Sequence, residues 1–243
     1  MRPDPGGLDI RSTTPRGPRD DGPARDPRID LLLVHAVHDA LRRDLRRLVT
    51  WSRTCVPVAT LGWIDFLRYL TTYLDADADV LRPVLLGRNL SGPDPKRTAA
   101  ETAHARRRVT LLAATVDNCL TGRGPGSRTA EYMTRLDAAL TAYLDYEQSV
   151  VLPLVATCIT TSEWADFDAA QRHPLGLSSG VALCAWLIDG TPPDRQQAIR
   201  QLFPPAVRLA HRWVGARHTR RIRWGEPVPP TSSQLGHARR RVR

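Results

Sequence analysis

Apolar residues recur at helical spacing along most of this chain. From Leu31 to Leu48 they fall at every third or fourth position, with arginines on the opposite face, which is typical of an amphipathic helix. The same spacing predicts four long helices, over residues 29–53, 62–87, 96–120 and 129–159. No segment alternates between apolar and polar residues as a half-buried strand does. The pattern predicts an all-α protein whose long helices, joined by short loops, form an antiparallel up-down-up-down four-helix bundle.

Composition divides the chain into four parts. Residues 1–27 hold six prolines and four glycines without apolar periodicity, so we expect a disordered arm. The bundle follows over 28–160. Shorter amphipathic segments separated by prolines predict a helical extension over 161–225, which packs either on the bundle or on a second subunit to form a homodimer. Residues 226–243 are expected to be a basic, disordered tail.

The formal net charge of +10 raises the question of nucleic acid. Arginine supplies almost all of the positive charge, and much of it lies after Arg208. The tail has neither a helix-turn-helix signature nor interleaved aromatic residues for base stacking. We therefore expect a solvated tail and no specific binding of nucleic acid.

The remaining composition indicates a cytoplasmic protein. No apolar run approaches the roughly 18 residues of a membrane span, and the N-terminus lacks the apolar region of a signal peptide. The four cysteines stand far apart without a CxxC pair, so a disulfide framework or a thiolate zinc site is not expected. No Ser-His-Asp or Cys-His signature is present, and whether the chain is an enzyme is left open.

Each long helix places a polar residue on its apolar stripe. These residues are His38 on the first helix, Tyr73 and Asp77 on the second, His104 on the third, and Tyr143 and Glu147 on the fourth. In both tyrosine–carboxylate pairs the residues are four apart, so their side chains point to one side of the helix. Carboxylates and imidazoles that project inward from facing helices bind metal ions in four-helix bundles. The six residues therefore predict a metal site in the core.

The segments around these residues resemble the hemerythrin-like (HHE cation-binding) family, in particular its actinobacterial members. Residues 37–45, around His38, are similar to the first-helix motif of that family, whose histidine is an iron ligand. Residues 80–85 and 151–154 resemble the stretches that follow its two carboxylate ligands, and the resemblance continues to about Trp224. It implies a four-helix bundle that holds non-haem iron, mono- or dinuclear, and handles oxygen, peroxide or redox chemistry, with dioxygen or peroxide as the small-molecule ligand.

The ligand positions depart from the family. Tyr73 and Tyr143 stand where the family has histidines, and Arg108 replaces a histidine four residues after His104. Two hypotheses remain open. In the first, both tyrosines bind iron as phenolates and favour Fe(III). In the second, the protein is a metal-free interaction module or scaffold, in which Arg108 pairs with Asp77 or Glu147 and closes a polar network.

Overall fold

The computed structural model describes residues 29–54, 56–87, 95–172 and 177–212. Within these ranges the protein is helical and contains no strand, which confirms the all-α class. None of the helices in this part of the chain is long and apolar enough to span a bilayer. The predicted arm over 1–27 and the predicted tail over 226–243 lie outside the described residues.

The helices follow the predicted order, but the second begins at Val56 rather than Gly62, and the second and fourth predicted helices are each divided by a π-helical turn. They are α1 (Leu32–Thr54), α2 (Val56–Ala76), α3 (Arg82–Leu86), α4 (Pro95–Leu120), α5 (Thr129–Tyr146), α6 (Leu152–Cys158), α7 (Thr161–Arg172), α8 (Leu177–Ile188) and α9 (Pro193–Gln201). Residues 205–212 are also helical. Gly62, expected to begin the second helix, lies buried inside α2, because burial against neighbouring helices offsets the roughly 1 kcal/mol that a glycine costs in a helix.

Two π-helical turns interrupt the long helices at equivalent places. One, over Asp77–Leu81, joins α2 to α3, and the other, over Glu147–Val151, joins α5 to α6. Each begins at a carboxylate that follows a tyrosine by four residues, and each is followed closely by a proline, Pro83 or Pro153. A proline ring clashes with the carbonyl four residues back in an α-helix, and the wider i→i+5 turn relieves that clash. Both carboxylates therefore lie where their helix is widened.

The long helices pack around one apolar core. α1 contacts α2 and α5, and α4 contacts α5 and α2. Near the middle of α1, Arg42 Nη2 donates to Asp145 Oδ1 at 2.7 Å, and at its end Arg53 Nη2 donates to Thr134 Oγ1 at 3.3 Å. The later residue of α1 meets the earlier residue of α5, so these two helices are antiparallel.

The extension packs on the same chain through a buried ionic network. Asp44 of α1 is 2% exposed and accepts hydrogen bonds from Trp186 Nε1 of α8 at 2.6 Å and from Arg43 Nε at 2.8 Å. The Trp186 ring stacks on Tyr69 of α2, with 4.0 Å between the ring centroids. Arg47 Nη1 lies 2.5 Å from Asp189 Oδ2, just after α8. Of the two alternatives left open above, packing on the long helices of the same chain is the one observed, while the homodimer stays a prediction.

Candidate functional site

Five of the six predicted site residues meet in the core. His38 comes from α1, Tyr73 from α2, Tyr143 from α5, and Asp77 and Glu147 from the first residues of the two π-helical turns. All five are buried, with 2% exposure or less. We call these five residues, together with Arg82, the polar cluster.

His38 and Tyr73 form a hydrogen-bonded pair inside the cluster. His38 Nε2 lies 2.6 Å from the Tyr73 hydroxyl, and the two rings meet edge to face. Burial, with smaller contributions from the positive charge of Arg42 and from His35, lowers the pKa of His38 to about 3, so the imidazole is neutral. Burial also raises the pKa of Tyr73 well above its ordinary value, so this residue is a phenol. The other imidazole nitrogen, Nδ1, is buried without a hydrogen-bond partner.

Asp77 is held by an arginine that sequence reasoning missed. Arg82 Nη2 forms a short ion pair with Asp77 Oδ2, and the Tyr143 hydroxyl donates to the same oxygen at 3.3 Å. Burial raises the pKa of Asp77, while the charge and hydrogen bond of Arg82 oppose that rise. The ion pair is largely enclosed, since the side chains of Arg82 and Asp77 are 15% and 3% exposed.

The position of Arg82 depends on the π-helical turn. In a regular α-helix, a residue five positions after Asp77 points about 140° away from it. The backbone N–H of Arg82 instead bonds the Asp77 carbonyl, five residues back, so Arg82 follows Asp77 by one wide turn. Regular helical periodicity hides this pair, and the sequence signal that could have revealed it is the Arg-Pro dipeptide after the acid.

Glu147 is the least satisfied member of the cluster. It is 0% exposed, and neither carboxyl oxygen has a hydrogen-bond partner. The Tyr143 hydroxyl lies close enough to lower the pKa of Glu147, but it has one proton, which its geometry directs to Asp77. Burial, followed by the negative charge of Asp77, raises the pKa of Glu147 well above its ordinary value. Burial therefore favours the neutral acid form of Glu147 over the carboxylate.

His104 does not belong to the cluster, which corrects the prediction. Both His104 and Arg108 are exposed on α4, and Leu111 of the same helix is 69% exposed. The buried positions of this helix are Thr98, Thr102, Val109, Ala113, Val116 and Cys119. Because α4 is rich in alanine and in long arginine stems, its sequence does not define one apolar face, and the predicted register was wrong. The predicted pairing of Arg108 with Asp77 or Glu147 is wrong for the same reason.

The donors in the cluster do not fit a dinuclear iron centre. Such centres in helical bundles need several carboxylates and imidazoles that are free to face the cations. The cluster offers one imidazole, which is bonded to Tyr73, and two carboxyl groups, one of which is paired with a guanidinium. In the described ranges, no group of three or more His, Cys, Asp or Glu side chains is placed to hold a metal ion.

Comparisons with known proteins gave no match: no family model, curated protein or solved structure is significantly similar to this chain. The resemblance to the hemerythrin-like family stays a prediction from the sequence.

Proposed function

We propose that this chain is a metal-free relative of the hemerythrin-like proteins and acts as a binding module. In this proposal the long helices form the antiparallel four-helix bundle of that family. Polar side chains of the protein itself fill the place that a metal ion occupies in the family. The observation that carries the proposal is the buried ion pair between Arg82 and Asp77. Its guanidinium supplies the positive charge that a carboxylate in a metal site would obtain from the ion.

The rest of the cluster supports the same proposal. Nε2 of His38 is hydrogen-bonded to the Tyr73 phenol, and the Tyr73 and Tyr143 hydroxyls keep their protons because burial raises both pKa values well above the ordinary value. A neutral phenol is a poor ligand compared with a phenolate, and a guanidinium beside a cation is electrostatically unfavourable. Within the cluster, the buried polar atoms that lack a hydrogen-bond partner are both carboxyl oxygens of Glu147, Nδ1 of His38 and Nε of Arg82.

The C-terminal extension is where we place the binding activity. It is anchored to α1 and α2 through Trp186, Asp44 and Tyr69, so it has a defined position. A cavity of about 1070 Å³ lies between its last helical segments. Concave sites of this size on rigid elements are typical of ligand binding.

Metal analysis tests the proposal directly. The full chain is purified from cells grown with excess iron and from cells grown with excess manganese, and metal content and visible absorption are measured. We expect far less than one equivalent of any transition metal and no charge-transfer band. One equivalent of iron, with a visible band that is lost in Tyr73→Phe and Tyr143→Phe, would contradict the proposal.

A matched pair of arginine variants tests the ion pair. Arg82→Ala leaves a buried carboxylate unpaired, so we expect the free energy of unfolding at neutral pH to fall by about 3 kcal/mol. Arg108→Ala removes an exposed arginine from α4, and its effect should stay within about 0.5 kcal/mol. Urea denaturation followed by circular dichroism measures both. Equal stability of the two variants would refute the role given to Arg82.

The bare carboxyl group of Glu147 favours one second candidate function, the binding of a single hard cation. A buried carboxyl group without a partner needs an explanation, and a bound ion is one of them. If this candidate is correct, Fe(III) or Mn(II) added to the purified protein raises its melting temperature, and Glu147→Gln abolishes that increase. An unchanged melting temperature argues for the metal-free proposal.

A further inference from the structure

A cavity in the extension shares none of its lining residues with the polar cluster. Its volume is about 1070 Å³, and its walls are the end of α8, the helix α9 and residues 205–212. Small-molecule sites commonly have volumes of about 300–1000 Å³, so this cavity can hold a ligand larger than a single inorganic ion. We call it the extension pocket.

The extension pocket has a strong excess of positive charge. Arg200, Arg208 and Arg212 line it. The carboxylate among its described lining residues, Asp189, is already neutralised, because Arg47 Nη1 lies 2.5 Å from Asp189 Oδ2 and Arg43 donates to the Asp189 carbonyl. Within the part of the chain that the structure describes, no carboxylate forms an ion pair with the three lining arginines.

Arg200 is held in place by a neutral partner. Its Nη2 donates to Gln196 Oε1 at 2.8 Å, and Gln196 Nε2 donates to the Thr191 carbonyl at 2.7 Å. These bonds orient the guanidinium without cancelling its charge. Less side-chain entropy is therefore lost when an anion binds to it.

The helices that line the pocket are packed closely against one another. Gly190, with φ of 65°, makes the turn between α8 and α9. On the other side, a Cβ at Gly180 of α8 would lie 3.3 Å from Val207 Cγ2, and Val207 is buried. The segment that carries Arg208 and Arg212 is thus packed directly on α8.

We infer that the extension pocket binds a small organic phosphate of nucleotide size. The planar fork of arginine matches phosphate oxygens, and three guanidinium groups that have no carboxylate partner among the described residues favour a ligand with more than one negative charge. Ile188 and Leu209 provide apolar wall for an uncharged body beside the phosphates. This inference rests on one part of the proposed function, namely that the extension is the binding part of the protein.

Calorimetric titration of the full chain with ATP, without magnesium and at about 150 mM salt, tests the inference. We expect saturable binding of one ATP per chain. Arg208→Gln combined with Arg212→Gln should weaken it at least tenfold, about the value of one charged hydrogen bond. Both residues are exposed, so the double variant should fold normally.

Arg195→Gln is the matched control. Arg195 lies on α9, as the lining residue Arg200 does, but its Nη1 pairs with Asp39 Oδ2 at 2.9 Å and it does not line the pocket. This variant should bind ATP within about twofold of the parent, since an exposed ion pair contributes little. Equal weakening by the control and the double variant would show diffuse attraction to surface charge and overturn the inference.

Three further ligands identify what the pocket recognises. Pyrophosphate should bind more weakly than ATP, and adenosine should not bind measurably. Pyrophosphate binding as tight as ATP binding would contradict the role of the apolar wall. Displacement of ATP by single-stranded oligonucleotides with an affinity that grows with their length would instead identify a nucleic-acid surface. Absence of ATP binding in protein with low metal content would refute this inference while leaving the metal-free proposal intact.

Discussion

At the scale of single residues, the carboxyl group of Glu147 has the clearest consequence for stability. Asp77, Tyr73, Tyr143 and Arg82 are the charged or titratable groups that influence it, and burial dominates the rise of its pKa. An unfolded glutamate titrates near pH 4.3. Because the folded pKa is raised above that value, folding takes up a proton above about pH 4.3. The contribution of Glu147 to stability is complete below the unfolded pKa and is lost as the pH rises toward the folded one.

Glu147→Gln should remove this pH dependence. Glutamine has nearly the same shape but cannot ionise, so we expect the variant to be more stable than the parent at about pH 8 and to lose less stability between about pH 5 and 9. Chemical denaturation at several pH values measures the slope. Glu131→Gln is the control, because Glu131 is exposed and Arg128 lowers its pKa, so it stays ionised across this range. Identical slopes for the parent and Glu147→Gln would contradict the assignment of a neutral acid.

At the scale of elements, the contact between α1 and α8 depends on a charged hydrogen bond. Trp186 Nε1 donates to the Asp44 carboxylate, while Trp164 Nε1 of α7 donates to the neutral Asp30 carbonyl at 3.1 Å. Hydrogen bonds to charged groups contribute about 1.5–3 kcal/mol, and neutral ones about 1 kcal/mol. The two tryptophans therefore attach the extension with different strengths.

Replacing each tryptophan by phenylalanine separates the two contributions. The loss of ring volume is the same in both variants and each tryptophan packs on another aromatic ring, so the difference reports mainly the hydrogen bond. We expect Trp186→Phe to lower the free energy of unfolding by about 1 kcal/mol more than Trp164→Phe. Equilibrium denaturation of the full chain measures both. A larger loss in Trp164→Phe would show that the Asp44 network is not what holds α8.

At the scale of the whole molecule, the extension and the long helices share one core. Trp164, Phe167 and Trp186 belong to the same buried cluster as the residues of α1 and α2. Removing the extension would expose the Tyr69 ring, on which Trp186 stacks, and would remove the hydrogen bond from Trp186 to Asp44. The long helices therefore depend on α7 and α8 for a complete apolar surface.

Two truncations test this dependence. A chain that ends at residue 160 should lose cooperative thermal unfolding and bind a hydrophobic dye, because apolar surface that α7 and α8 cover becomes exposed. A chain that ends at residue 225 keeps every described contact and should melt at the temperature of the full protein. Differential scanning calorimetry distinguishes the two. Cooperative melting of the shorter chain would show that the long helices form an independent unit.

The sequence by itself determined the helices and much of the polar cluster. The 3.6-residue period of apolar positions in α1 and α5 is a local property, and it placed His38, Tyr143 and Glu147 on inward faces. Each tyrosine and the carboxylate four residues after it are both buried in the core, as predicted. For the first pair the reason is that Tyr73 precedes the π-helical turn and Asp77 begins it. Such features depend on neighbours within one or two turns of the same helix.

Tertiary structure alone decided the face of α4, the partner of Asp77 and the protonation of the cluster. Small residues and arginine stems leave the orientation of α4 undetermined until other helices pack against it, so His104 is on the surface. Arg82 reaches Asp77 because a π-helical turn changes the register of the helix before Pro83. The raised pKa of Glu147 follows from burial by residues far away along the chain, which remove the water that would otherwise stabilise its charge.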